Sequence, residues 1–323
     1  MHPLTRRRFL STSLAAAAAS SLRADHVARA LGLSQAGAQD ENSCILTPEQ
    51  EVGPFYVPGE MLRADIGEGK PGVPLTLRIL IFEAGSCKPI PNAAVDIWSC
   101  DALGVYSGYT NSKFGPPPEG GPGAGAPGNF QGGPPPGPPP NGAPPDGRGP
   151  GPDGTFGGPP PMQPTDKLTF CRGIQITGAD GGVVFHTIFP GFYQGRTNHV
   201  HFKVHLGGAS GGEVGGVVHS PTYTGGHVSH TGQIFFPEDD AVTLMKRAPY
   251  NEHKIHRVTQ SEDGVFTQQH GSVAIARMHL GTEEQIRRGI GAAIVAIVDP
   301  NATPAPVRPA GFGGPGGPPP TRN

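Results

Sequence analysis

The clearest pattern in the chain is a strict alternation over residues 75–81. Leu75, Leu77, Ile79 and Ile81 share one face of a strand, with Thr76 and Arg78 on the other. Residues 89–92 turn the chain, and residues 94–100 return as a second strand rich in Val95, Ile97 and Trp98. A third strand is predicted over 173–177. It leads through the hairpin signal Asp180-Gly181-Gly182 into a fourth over 183–189. A fifth covers 198–206, with later candidates at 233–236, 272–280 and 292–298. The only helical patterns are short, at 238–246 and 282–288. Six to nine strands with Gly/Pro turns and little helix predict an all-β fold, a β-sandwich or a related barrel.

Composition changes this picture in two places. Residues 115–164 hold 35 Gly or Pro in 50 positions, and residues 302–323 are similarly biased. Such stretches lack the apolar side chains that offset the entropy of ordering, so both are expected to be unfolded. The first is read as an insertion into the catalytic or binding domain of residues 39–301, the second as a tail. Nothing in either segment names a partner. The net charge of −2 gives no basic surface for nucleic acid. No apolar run reaches the roughly 18 residues a membrane-spanning helix needs.

Residues 1–38 read as an export signal. Thr5-Arg6-Arg7-Arg8-Phe9-Leu10 is followed by an alanine-rich run and a small-residue exit at Ala36-Gly37-Ala38. The paired arginines match the twin-arginine type, whose cargo crosses already folded, so a periplasmic or extracellular location is expected. In an oxidising compartment the four cysteines are expected to form two disulfides. Of three possible pairings, strand placement favours Cys44 with Cys87 and Cys100 with Cys171.

The segment Asn198-His199-Val200-His201-Phe202-Lys203-Val204-His205-Leu206 carries the most chemical information. Alternation sends Val200, Phe202, Val204 and Leu206 to the core and projects His199 and His201 from the opposite face. Their Cα atoms then lie about 7 Å apart, two strand rises, close enough for both rings to grip one metal ion. His205 shares the face but is too far along to join them. Just upstream, Pro190-Gly191-Phe192-Tyr193-Gln194-Gly195-Arg196-Thr197 is a tight turn bearing a tyrosine and an arginine. Trp98…Gly104-Val105-Tyr106 delivers a second tyrosine from the end of a buried strand.

With these motifs the sequence resembles the intradiol ring-cleavage dioxygenases over about residues 44–205. The matching pieces are Trp98…Gly104-Val105-Tyr106, Arg172-Gly173-Ile174-Gln175, Pro190-Gly191-Phe192-Tyr193 and Arg196-Thr197-Asn198-His199-Val200-His201. Glu49-Gln50-Glu51-Val52-Gly53-Pro54-Phe55-Tyr56 matches the exported, single-domain branch. The resemblance implies a non-haem Fe(III) enzyme that opens catechol-type aromatics with O2 to muconate-type diacids. It implies Tyr106, Tyr193, His199 and His201 as iron ligands, Tyr193 as the ligand that yields to substrate, and Arg196 as the group stabilising charge on the ring. Hard ferric iron suits such a set, since it favours anionic oxygen and must itself deprotonate phenols of ordinary pKa about 10. Catechol-specific members of the family cover their site with an N-terminal helical segment. The roughly 35 residues before the first strand here have no helical pattern, so an open site is expected. The alternatives are a non-catalytic β-sandwich binding module and a cupin-like metal oxidase, which would call for a further histidine and a carboxylate beside the His-x-His pair.

Overall fold

The computed structural model describes residues 44–59, 61–111, 162–214 and 217–307. The expected signal peptide at 1–38, most of the 115–164 insertion and most of the 302–323 tail lie outside these residues. Residues 162–164 fall inside the expected insertion yet belong to the packed domain. The Met162 side chain joins the cluster around Tyr106, and Tyr109 Oη lies 3.0 Å from the Met162 carbonyl oxygen. Asp166 anchors the same join, accepting from Gly108 N, Thr110 N and Leu168 N.

Eight strands among the described residues form two four-stranded sheets. The alternation at 75–81 becomes β1 (Pro74–Glu83), which pairs antiparallel with β4 (Gly182–Ile188) and parallel with β8 (Ile290–Val298). The two-residue β7 (Arg277–Met278) closes that sheet in the order β4-β1-β8-β7. In the second sheet β2 (Ala94–Trp98) lies between β3 (Arg172–Ile176) and β5 (His199–Val214). The outer neighbour of β5 is β6 (Val217–Phe235), giving the order β3-β2-β5-β6. Leu75, Leu77, Ile79 and Ile81 are each at most 1% exposed and meet Val95, Ile97, Val200, Phe202, Val204 and Ile234 of the facing sheet in one core. The fold is therefore an all-β sandwich.

Three short helices decorate the sandwich: α1 (Glu238–Met245), α2 (Gly264–Gln268) and α3 (Glu283–Arg288). The first and third follow the sequence pattern, and α3 carries a capping box between Thr282 and Gln285. The second is not expected from periodicity, because five residues are too few to show one. It is set by its N-cap, Asp263, whose side chain accepts from Val265 N and Phe266 N. The strand expected over 272–280 is instead a 3-10 turn, Gly271–Ala274, followed by β7. Strands β5 and β6 run far past the expected 198–206 and 233–236 because each continues as a glycine-rich ribbon paired to the other.

One disulfide forms, Cys44–Cys87, and Cys100 and Cys171 are both free and buried. The expected second bridge fails on side-chain direction. Cys171 points into the core between the sheets, whereas Cys100 joins the cluster on the outer face with Trp98 and Tyr106. Burial pushes both thiols up, Cys171 to about 11. Thiol titration of the folded protein should read close to zero, and of the denatured protein, two thiols per chain. Cys44→Ser should lower unfolding stability by about 2–4 kcal/mol, the usual contribution of closing a loop of this kind. Four thiols after denaturation would contradict the bridge.

Candidate metal centre

Strand β5 places His199 and His201 on the outer face of the second sheet, away from the core. Both are nonetheless buried, at 1% and 0% exposure. Their Nε2 atoms converge to 3.1 Å. His199 Nδ1 donates to the Thr197 carbonyl oxygen at 2.7 Å, and since a carbonyl only accepts, the lone pair of this ring resides on Nε2. The His201 ring lies flat on Trp98, with centroids 4.9 Å apart and planes 4° from parallel. Burial pushes both imidazoles down, with the Arg196 charge adding to it, and His199 reaches about 3. Both rings are therefore neutral donors at neutral pH.

The two tyrosines arrive on a pair of turns that touch backbone to backbone. Asp101 Oδ1 accepts from Leu103 N and Val105 N and shapes the turn that ends at Tyr106. Gly191 N donates to the Asp101 carbonyl, and a Cβ on Gly191 would lie 2.5 Å from the Ala102 carbonyl oxygen. Gly104 has φ +80°, and a Cβ there would lie 2.2 Å from the Phe192 carbonyl oxygen. Only glycine lets the turns close this far. The result sets the rings of Tyr106 and Tyr193 5.7 Å apart, with Tyr193 5.6 Å from His199 and Tyr106 6.3 Å from His201. Arg196, only 8% exposed, donates from Nη1 to Tyr193 Oη at 3.2 Å, from Nε to Asp263 at 2.9 Å, and from Nη2 to Gln233 Oε1. All five residues expected from the sequence are thus brought together: Tyr106, Tyr193, Arg196, His199 and His201.

Several neighbours were not evident in the sequence. Gln233 pairs directly with His201 across β5 and β6, so strand register could have found it. Asp263 and Arg257 come from the segment after α1 and carry no spacing signal. Arg257 grips Thr197 Oγ1, Asn198 Oδ1 and the Glu238 carboxylate, fixing the residues that precede His199. The expectation of an open site is corrected. Residues 49–56 contain no helix but lie across the rings as an irregular strap that turns at Pro54 and Phe55. Gly53 abuts the His201 ring, Phe55 stacks on Tyr106 at 4.4 Å, and Tyr56 lies over Trp98 at 4.8 Å. The strap is tied to β6 by Glu49 with His230 and by Gln50, which donates its backbone N–H to Thr231 and accepts from Gln233 N.

These donors fit a ferric ion. With a bond of about 2.1 Å to each imidazole, two ligands at right angles would stand about 3.0 Å apart, close to the observed spacing. Tyr106 Oη is buried with no hydrogen-bond partner among the described residues. Burial pushes both phenols up, in Tyr193 despite the Arg196 charge beside it, so neither ionises at neutral pH without a bound metal ion. Among the described residues no three His, Cys, Asp or Glu side chains gather as a metal site. The further histidine and carboxylate of a cupin-like centre are therefore not seen there, and the tyrosines are the side chains placed to complete the set.

The β-sandwich that carries these residues has counterparts among solved structures. Its fold is that of the intradiol ring-cleavage dioxygenase family. The chain is similar to an intradiol ring-cleavage dioxygenase from Tetranychus urticae at 26% identity and a TM-score of 0.57, over 81% of this chain and 98% of that one. Matches also include the dioxygenase domain of a carbohydrate-binding fusion protein from Streptomyces sp. SirexAA-E, at 20% identity and a TM-score of 0.43, over 79% and 99% of the two chains. Catechol 1,2-dioxygenase from Acinetobacter sp. ADP1 matches at 19% and 0.39, over 86% and 67%. No protein-family model and no curated protein matches the sequence.

The turn contact gives a direct test of how the tyrosines are held. Gly191→Ala should lower stability by about 1–3 kcal/mol, the range for overpacking, and should reduce iron bound per chain. Gly211→Ala, whose added methyl meets nothing within 4 Å, serves as the control and should change neither. Urea unfolding and iron assay check both, and a silent Gly191→Ala would show that the turns do not set the tyrosines.

Proposed function

We propose that the chain is a non-haem Fe(III) intradiol dioxygenase that cleaves a catechol-type aromatic with O2 to a muconate-type diacid. The observation that carries this reading is the convergence of His199 and His201 Nε2 at 3.1 Å beside the rings of Tyr106 and Tyr193 and beside Arg196. The T. urticae likeness supports it. Tyr106, Tyr193, His199 and His201 would hold the ion. Bound there, Fe(III) would bring a chelated catecholate and O2 together and draw electron density from the ring, so that both oxygen atoms enter the diacid.

The chain's own residues divide the remaining work. Tyr106 is 2% exposed and wedged under Phe55, which makes it a fixed ligand. Tyr193 is half-buried, so it is the ligand able to give way to substrate and to take a catechol proton at Oη. Arg196 is a cation at any working pH. Burial opposes its charge, but Tyr193 and Asp263 outweigh that and raise its pKa further. Its Nη1, aimed at Tyr193 Oη, is suited to stabilise negative charge that develops on the substrate ring. The strap over the rings keeps bulk water from this charge, which strengthens the interaction.

Oxygen uptake against a panel of catechols tests the reading. The wild-type chain loaded with iron should consume one O2 per ring opened. Arg196→Ala should keep its iron yet lose about 10²–10³ in kcat, the usual effect of removing one group that stabilises developing charge. Tyr193→Phe should retain much of its iron and turn over slowly. Absence of O2 uptake with every catechol, or a wild-type rate in Arg196→Ala, would sink the proposal.

A further inference from the structure

Asp263 is fully buried, and both of its oxygens are committed. Oδ1 accepts from Val265 N at 2.9 Å and Phe266 N at 3.1 Å, which pins the carboxylate to the start of α2. Oδ2 accepts from Arg196 Nε at 2.9 Å and Thr197 N at 2.9 Å. The same Thr197 offers its carbonyl to His199 Nδ1. One carboxylate oxygen therefore holds the buried guanidinium directly and the His199 ring through a single residue.

We infer that Asp263 is a positioning residue for the reaction proposed above: it holds Arg196 as a fixed cation aimed at Tyr193 Oη and, through Thr197, keeps His199 in the tautomer whose Nε2 is free. The part concerning catalysis rests on that proposed reaction; the part concerning geometry does not. A buried guanidinium needs a compensating anion, and only an anion fixed from behind can also fix its direction. The Val265 and Phe266 amides supply that fixation. Gln233 Oε1 and Tyr193 Oη accept from the other two nitrogens of Arg196, but neither carries a charge in the metal-free protein. The Asp263 carboxylate hydrogen-bonds Arg196, Thr197, Val265 and Phe266 and none of the expected ligands. Its hydrogen bonds reach those ligands through Arg196 and Thr197, in the way that partners behind metal-bound histidines act.

Asp263→Ser tests this, because serine also caps a helix while removing the charge and the reach to Arg196. The first readout is 15N NMR of the full chain purified without added metal. The Arg196 Nε–H signal should exchange with solvent at least about tenfold faster than in wild type, and His199 should lose its single Nδ1–H tautomer. The second readout is kinetic. In the iron-loaded variant kcat should fall by about 10²-fold with iron content within about twofold of wild type, a split that a merely structural role would not give. Unchanged Arg196 exchange overturns the inference, as does wild-type kcat in Asp263→Ser alongside an impaired Arg196→Ala. If Arg196→Ala itself turns over normally, the catalytic reading of Arg196 fails, while the exchange data still decide the positioning. Should Asp263→Ser not fold, the double variant with Arg196→Met decides: recovery of folded protein shows that the Arg196 charge depended on Asp263, and continued failure shows that Asp263 supports the fold independently of Arg196 and overturns the inference.

Discussion

The structure turns on the need to bury polar rings on the outer face of a sheet whose inner face already forms the core. An exposed His199 and His201 would be hydrated and free to protonate. Here both are at most 1% exposed, because residues 49–56 cross over them and are fastened to β6. The fastening is polar and local, through Glu49, Gln50 and Gln233, whereas the contact with the rings is apolar and aromatic, through Gly53, Phe55 and Tyr56. That division puts Gly53 against the His201 ring and the aromatic side chains of Phe55 and Tyr56 against Tyr106 and Trp98. It also explains why the outer-face cluster around Tyr106 is separate from the sandwich core.

Burial sets the electrostatics of the centre. It drives the imidazoles toward neutrality and the phenols toward protonation, and these two effects have opposite consequences for a metal. Neutral imidazoles are ready donors. Protonated phenols become donors only when a cation displaces the proton, which favours a highly charged ion over a weakly charged one. Arg196 would otherwise repel that ion. Its charge is answered by Asp263, whose own carboxyl is held below the usual range because Arg196 outweighs the penalty of burial. The pair places a cation beside the candidate metal centre with a carboxylate to balance its charge.

Much of this was legible in the sequence, for identifiable reasons. Period-two alternation placed Leu75 to Ile81 inside and His199 and His201 outside, since strand geometry fixes both. Tyr106 and Tyr193 were found through the family resemblance of their motifs, and the structure shows what the motifs' glycines do: Gly104 and Gly191 let the two turns meet. Asp263, Arg257 and Gln233 were not found, because their roles arise from tertiary contacts between segments more than 30 residues apart. The pairing of Cys100 with Cys171 failed because it rested on Cys87 and Cys100 standing at opposite ends of a hairpin, which says nothing of the direction of the Cys171 side chain. The strap was missed as a cover because cover was sought in a helix, and an irregular segment can bury the same rings.

The central claim is that the four rings together bind one ferric ion. It is tested most directly by titrating the purified metal-free chain with Fe(III) and recording the visible absorption, with resonance Raman on the band that appears. The account expects a tyrosinate-to-iron charge-transfer band that saturates at one iron per chain, with tyrosinate ring modes, and that is lost in Tyr106→Phe. A chain that takes up no iron, or takes it up without a tyrosinate band, would contradict it.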